Sequence, residues 1–412
     1  MNRNRLPRVV NHAIDAIADA PMSPVGRLAA ARIGRPAPRG SVSSTKFADK
    51  PVRVLIAPVN YSGQGREWAR ALESADAQIS AKNMAIDVPG GFSFDADVVV
   101  PVSTYHNDGD WQRRQFVSAR TATHVLIEAE EPPFGRMLGR SVSAQARALG
   151  DAGVDVAFLG HGTDVRLPSR HIAENAWSYY ADPSVYTPRA ETLAARNIAL
   201  VRDSGRPVFV STPDLLIDLP DAEWCPVVVD LERWQSPRAT RTVGAPLRVA
   251  HAPSVSAAKG THLVMPALER LIADGVIELE LVRGVPSAQM PAIFAGADVV
   301  LDQFRAGSYG VAACEAMAAG CLVMGSVTPR VRADVAARTG VELPIIEADP
   351  TTIEDVLRGL AQEPHFDTLL GASAAYVRTV HDGRMSARSL IDNWIAPSGV
   401  DEKKGAPHAS AG

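Results

Sequence analysis

The stretch Asp302–Gly325, DQFRAGSYGVAACEAMAAGCLVMG, gathers residue types suited to binding an anion with a polyhydroxylated group attached. An apolar run ends at Asp302, a loop holding Gly307 and Gly310 follows, and Glu315 is the lone charge of the next helical segment. Unpaired N–H groups and the positive end of such a helix attract an anion. Gly310 removes the side chain where a phosphate must approach. Glu315 is followed by Ala316, Met317, Ala318, Ala319 and Gly320, a small-residue surface that packs close to a sheet. A carboxylate buried there without a partner costs several kcal/mol, and ribose hydroxyls would supply one, as they do for acidic residues in dinucleotide folds. The stretch therefore predicts a nucleoside diphosphate site. An ordinary strand-to-helix turn at Gly310 and a salt-bridged Glu315 are the plainer alternatives.

Three other places carry chemistry. Lys259-Gly260-Thr261 follows an apolar run and offers a point charge for phosphate oxygens. His161 lies in Phe158-Leu159-Gly160-His161-Gly162-Thr163-Asp164, at the end of another apolar run. An imidazole there can hydrogen-bond hydroxyls, though a lone histidine at a strand end is more often structural. The loop Asn60-Tyr61-Ser62-Gly63-Gln64-Gly65 lets backbone approach a ligand closely. It does not complete G-x-G-x-x-G, because Trp68 stands where the third glycine would, which argues against a dehydrogenase.

The elements that must position these residues alternate. Val52–Val59, Asp97–Val102, Thr123–Glu128, Val154–Leu159 and Pro207–Ser211 read as buried strands with helical stretches between. Gln235–Pro246, polar and proline-bearing, is a linker. A second series follows: strands Leu247–His251, Ile277–Val282, Ala297–Leu301, Cys321–Gly325 and Pro344–Glu347, with a helix over Thr261–Asp274 closed by Gly275. Thr351-Thr352-Ile353-Glu354 reads as a capping box for a helix through Gln362. Such alternation predicts two α/β units in tandem, each with a parallel sheet covered on both faces.

Residues 1–50 stand apart. Seven arginines against two aspartates in residues 1–40 give a local balance of +5 in a chain of net charge −4. Leu6, Val9, Val10, Ala13, Ile14 and Ile17 have helical spacing. This predicts either a foot on an anionic membrane surface or partner, or a helix packed on the main body with a linker through Pro36–Ser44. The tail, residues 397–412, is small and polar and reads as disordered. The net charge argues against general nucleic-acid affinity. Cys225, Cys314 and Cys321 show no disulfide or CxxC spacing, which fits a reducing interior. Neither an 18-residue apolar run nor a signal-peptide core is found, so a cytoplasmic location is expected.

Gly307-Ser308-Tyr309-Gly310-Val311-Ala312-Ala313-Cys314-Glu315-Ala316-Met317-Ala318-Ala319-Gly320 resembles the E-G-F-G-L-x-x-x-E-A-M-A-x-G motif of GT-B glycosyltransferases, in particular the family 4-like, retaining ones. The spacing is intact; the second glutamate is Glu315 and the first is replaced by Gly307. The resemblance implies two Rossmann-like domains facing each other across a cleft. It implies domain bounds of 51–238 (acceptor) and 239–383 (nucleotide sugar), with a helix over 384–396 crossing back. In that family the second glutamate binds the ribose and the first faces the donor sugar, so the sugar contact is in question and Asp302 is a candidate substitute. His251-Ala252-Pro253-Ser254 with Lys259-Gly260-Thr261 resembles the loop that clasps the diphosphate, without its arginine. The implied donor-binding residues are Lys259, Ser308, Tyr309, Gly310, Val311 and Glu315. His161 corresponds to the histidine facing the donor sugar, and Asn60, Gly63 and Gly65 to the cleft loop.

Asp164 and Arg166 are expected to pair with each other or with backbone. Pro226–Asp230 resembles the structural strand closing the acceptor domain. Glu128-Ala129-Glu130-Glu131-Pro132 invites a metal reading. However, the family needs no divalent cation and no histidine is placed to help, so a cleft-edge loop is expected and no metal. The implied activity is transfer of a sugar, of hexose type, from a nucleoside diphosphate sugar to an acceptor hydroxyl, with retention and without a further cofactor. The partners are the sugar donor and a glycan, lipid or protein acceptor, with peripheral membrane contact through residues 1–40. The rivals are a catalytically silent binding or scaffold protein and a sugar-nucleotide epimerase.

Overall fold

The computed structural model describes residues 3–90, 94–235, 241, 245–252 and 256–396. The expected tail 397–412, most of the expected linker and Pro253–Ser254 of the expected clasp lie outside the described residues.

The first sheet has seven strands: β1 (Val52–Ala57), β2 (Ile79–Asp87), β3 (Val98–Pro101), β4 (His124–Glu128), β5 (Asp155–Gly160), β6 (Val208–Val210) and β7 (Glu223–Trp224). Their order is β3-β2-β1-β4-β5-β6-β7, all parallel. The second sheet has β8 (Leu247–His251), β9 (Ile277–Leu281), β10 (Val299–Leu301), β11 (Leu322–Gly325) and β12 (Ile346–Glu347), ordered β12-β11-β10-β8-β9 and again parallel. Central strands are apolar throughout because both faces are covered: Val54–Ala57 and Val125–Ile127 are fully buried.

Two expectations need correction. No strand was expected over β2, since Lys82 and Asn83 interrupt its apolar run. They fit because Asn83 exchanges hydrogen bonds with Asp97 at 2.9 Å each way and Lys82 pairs with Glu73. The capping box does not form either. Thr352 makes no side-chain cap, and Asp349 instead accepts the Thr351 and Thr352 amides at 2.7 and 3.0 Å. Glu354 is drawn to Arg270 and Arg358.

At the N-terminus, helix Arg8–Asp19 docks on the first domain through ion pairs from Arg189 to Asp15 and Asp19, and helix Pro24–Ala31 through Asn107 Nδ2, which donates to the Ala30 carbonyl at 3.0 Å. At the other end, Ala387, Leu390 and Trp394 are buried in the same cluster as Val54, Leu126 and Phe209 of the first sheet.

In each sheet the chain reverses direction of travel once: between β1 and β4, and between β8 and β10. The crevice beyond the carboxyl ends of strands at such a point is where ligands bind in doubly wound folds.

Candidate functional site

The second sheet builds one half of the site at its switch point. Lys259, just after β8, and Asp302, just after β10, bridge the two diverging loops with Nζ 2.5 Å from Oδ1. Asp302 is almost fully buried, so it is this lysine's counter-ion and not a free contact for a sugar. Beneath them His251 is locked by the Leu301 carbonyl at 2.9 Å and Thr261 Oγ1 at 2.8 Å. Gly260 has φ +73°, and a Cβ there would lie 2.9 Å from Arg305 Cγ, so only glycine fits.

Gly310 is the extended N-cap of helix Val311–Ala318, and nothing lies within 4 Å of the place its Cβ would take. Its carbonyl takes the Ala313 and Cys314 amides, which leaves the amides of the first turn directed out of the helix end. Glu315, one turn in, is half-buried, and its carboxylate has no hydrogen-bond partner among the described residues. Burial pushes its carboxyl up to about 7, against the pull of Arg233 and Lys259. Gly310, Val311 and Glu315 thus share one helix, and Lys259 lies near enough to act on the Glu315 carboxyl. Ser308 and Tyr309 are turned inward: Tyr309 Oη lies 2.6 Å from Tyr376 Oη and Ser308 is buried, so only their backbone is left for a ligand.

The first sheet offers the facing half. His161 Nε2 lies 3.1 Å from Glu128 Oε1, and Glu128, fully buried at the end of β4, also accepts the Val59 and Asn60 amides at 3.3 Å each. One carboxylate therefore ties together the loops after β1, β4 and β5. The imidazole is further held by Tyr61 edge-on at 5.1 Å and by Trp68 at 5.5 Å. Gly65 is closely covered, since a Cβ would stand 3.3 Å from both Glu128 oxygens and Asn60 Oδ1 and would press on them. Gly63 and Asn60 take left-handed φ of +77° and +52° to turn the loop. Sequence reasoning missed the part played by Glu128. The signal was available: an acidic residue closing an otherwise apolar buried strand needs a donor.

Asp164 accepts the His161 amide at 2.7 Å and the Gly162 amide at 2.5 Å. Arg166 does not pair with it. It reaches Asp214 instead, at 2.6 and 3.0 Å, and Tyr179 Oη. Glu130 is buried, and burial, reinforced by Asp164 and Glu131, holds its carboxyl well above the ordinary carboxylate range. Among the described residues no group of three histidine, cysteine or acidic side chains is placed to hold a metal ion.

Between the halves the chain is closely packed. Asn175 Nδ2 and the Tyr179 amide both donate to the Arg305 carbonyl, and His171 Nε2 donates to that of Ala306. The Arg305 guanidinium is buried against the Trp177 and Ser178 carbonyls and pairs with Asp182 at 2.6 Å. The cavity left beside Gly307, lined by Arg166, His171 and Asp214 among others, is only about 20 Å³. That holds a water and not a sugar.

No family model matches the chain, and no curated protein matches it in sequence. Solved structures do match. Sucrose-phosphate synthase from Thermosynechococcus elongatus is 11% identical over 82% of this chain and 96% of that one, with a TM-score of 0.54. HepE from Anabaena, solved with UDP and glucose, is 10% identical over 84% and 99%, with a TM-score of 0.51. Likeness at this identity speaks to architecture. Two sheets of parallel strands and the likeness to these glycosyltransferase structures give this chain the GT-B fold.

Proposed function

We propose that the chain is a glycosyltransferase that binds a nucleoside diphosphate sugar on the second domain and passes the sugar to an acceptor hydroxyl held by the first. The observation that carries this is Glu315: a half-buried carboxylate without a hydrogen-bond partner among the described residues, beside an open helix N-terminus and a lysine. A carboxylate so placed suits ribose hydroxyls, and Lys259 with the amides near Gly310 and Val311 suits the diphosphate. As the sugar–phosphate bond breaks, negative charge grows on the leaving diphosphate, and preorganised positive groups stabilise it. His161, oriented by Glu128, would meet the transferred sugar or the incoming hydroxyl. Uridine is the first base to try, because HepE was solved with UDP. Retention and a hexose as the transferred group follow from the motif resemblance alone.

A second reading has its own observation. Gly307 supplies no side chain, and Asn175 and Thr328 fill the space beside it, which suits a protein that binds the nucleotide sugar without transferring it. Incubation with UDP-, GDP- and ADP-sugars and a panel of lipid, glycan and small-molecule acceptors separates the two. Sugar appearing on an acceptor supports transfer. An altered sugar nucleotide would mark an epimerase, and an unchanged donor that still binds would mark a silent binder.

A further inference from the structure

Helix Arg8–Asp19 is mounted with its polar side inward. Asn11 is its one buried residue, holding Arg3 Nε at 3.0 Å through Oδ1, and Arg3 also pairs with Asp15 at 2.9 Å. Asp15 and Asp19 are both drawn to Arg189 on the body, with Arg196 adding to Asp19. Most of the apolar side is left outward: Val9 is 78% exposed, Val10, Ala13 and Ile17 are exposed too, and Leu6 and Ile14 are half-buried. Helix Pro24–Ala31 repeats this. Its small residues Gly26 and Ala30 meet the body, while Val25 and Leu28 are exposed, followed by Ile33. A helix kept only for packing would turn its large apolar residues in.

Charge distinguishes the possible covers. Both acidic residues of the segment are spent on arginines, whereas Arg5, Arg8, Arg27, Arg32 and Arg35 are exposed and make no ion pair among the described residues. The segment carries +5 while the whole chain carries −4, so the remainder is −9. A second copy of this chain meeting this face through its own would bring the same arginines against these. An apolar face fringed by unpaired arginines fits an anionic lipid surface, where the rings of charge meet headgroups and the aliphatic side chains enter the acyl boundary.

We infer that helices Arg8–Asp19 and Pro24–Ala31 form a membrane-docking surface for anionic lipid. The ion pairs to Arg189 and Arg196 fix the orientation of the first domain over the bilayer. This inference is independent of the reading of the nucleotide site.

The test is flotation of the full chain with vesicles of phosphatidylglycerol and phosphatidylcholine in equal parts, against vesicles of phosphatidylcholine alone. The wild type should float with the anionic vesicles only and be released by high salt. The triple variant Val9→Asp, Ile17→Asp, Leu28→Asp should bind at least about tenfold more weakly. These residues are exposed, so its thermal melt should match the wild type. Absence of wild-type binding to the anionic vesicles, or equal binding by the triple variant, overturns the inference. So does a wild-type dimer in light scattering that the triple variant dissolves while neither floats, which would make a second copy the cover.

Discussion

Asn175 and Gly307 meet across the domain boundary so closely that a Cβ on Gly307 would stand 2.8 Å from Asn175 Nδ2. It would also stand 2.9 Å from Thr328 Cγ2, and Gly307 itself has φ +67°. The missing glutamate is therefore bound up with how the domains fit together. Gly307→Glu, which restores the family pattern, should destabilise the chain by about 1–3 kcal/mol in urea unfolding. It should add no turnover. The double variant with Asn175→Gly should recover part of the loss, since it removes the closest clash and leaves the φ strain. An increase in sugar transfer by Gly307→Glu alone would show that the space is open in the working state.

Lys259 has two duties, and variants can separate them. Lys259→Ala strands Asp302 in the interior, and breaking a buried pair in this way costs about 3–5 kcal/mol. It should also weaken nucleoside diphosphate binding. Asp302→Asn keeps the lysine charge and frees the ammonium, so nucleotide affinity should hold or rise while stability falls. If Asp302→Asn lost nucleotide affinity as fully as Lys259→Ala, the lysine would be serving the fold alone.

Glu315 sets a pH dependence whose sign is fixed by its raised carboxyl. With an ordinary value of 4.5 and a folded one of about 7, its contribution to stability is present below 4.5 and is lost as pH rises through about 7. Glu315→Gln should therefore gain stability relative to wild type above about pH 7, with the difference closing on acidification. Binding runs the opposite way. Hydroxyl donors need the ionised carboxylate, so wild-type nucleotide affinity should rise through about pH 7 and that of Glu315→Gln should stay flat. Calorimetric titrations at several pH values check both.

The Glu128–His161 pair predicts a split between binding and turnover. His161→Ala should lower turnover far more than donor affinity. Glu128→Gln keeps the shape but gives up one acceptor among three donors, the Val59 and Asn60 amides and the imidazole. An unmade buried hydrogen bond costs about 1–3 kcal/mol. Turnover should fall, because the imidazole loses the carboxylate that orients it. Wild-type activity in His161→Ala would remove the histidine from the account.

Local pattern carried much of this. The buried strands announced themselves as apolar runs, and β8 falls over Leu247–His251 as the pattern predicts. The Glu315 helix was legible because a single charge in a run of alanines demands a reason. What stayed hidden depends on partners far away in sequence. Arg166 chose Asp214 over nearby Asp164, Arg305 is buried against the 177–182 segment, and Tyr309 turns to Tyr376. Strand β2 was hidden for the same reason, since Asn83 is acceptable inside only because Asp97 answers it. The outward apolar face at the N-terminus inverts the usual rule, so periodicity could give the helix but not its mounting.

Calorimetric binding of UDP, GDP and ADP to wild type and Glu315→Ala shows whether a nucleoside diphosphate is held at Glu315. One nucleotide should bind with micromolar affinity and be weakened at least about tenfold in the variant, as the loss of hydrogen bonds to a charged group implies. Equal binding by wild type and variant, or none by either, would contradict a site at Glu315.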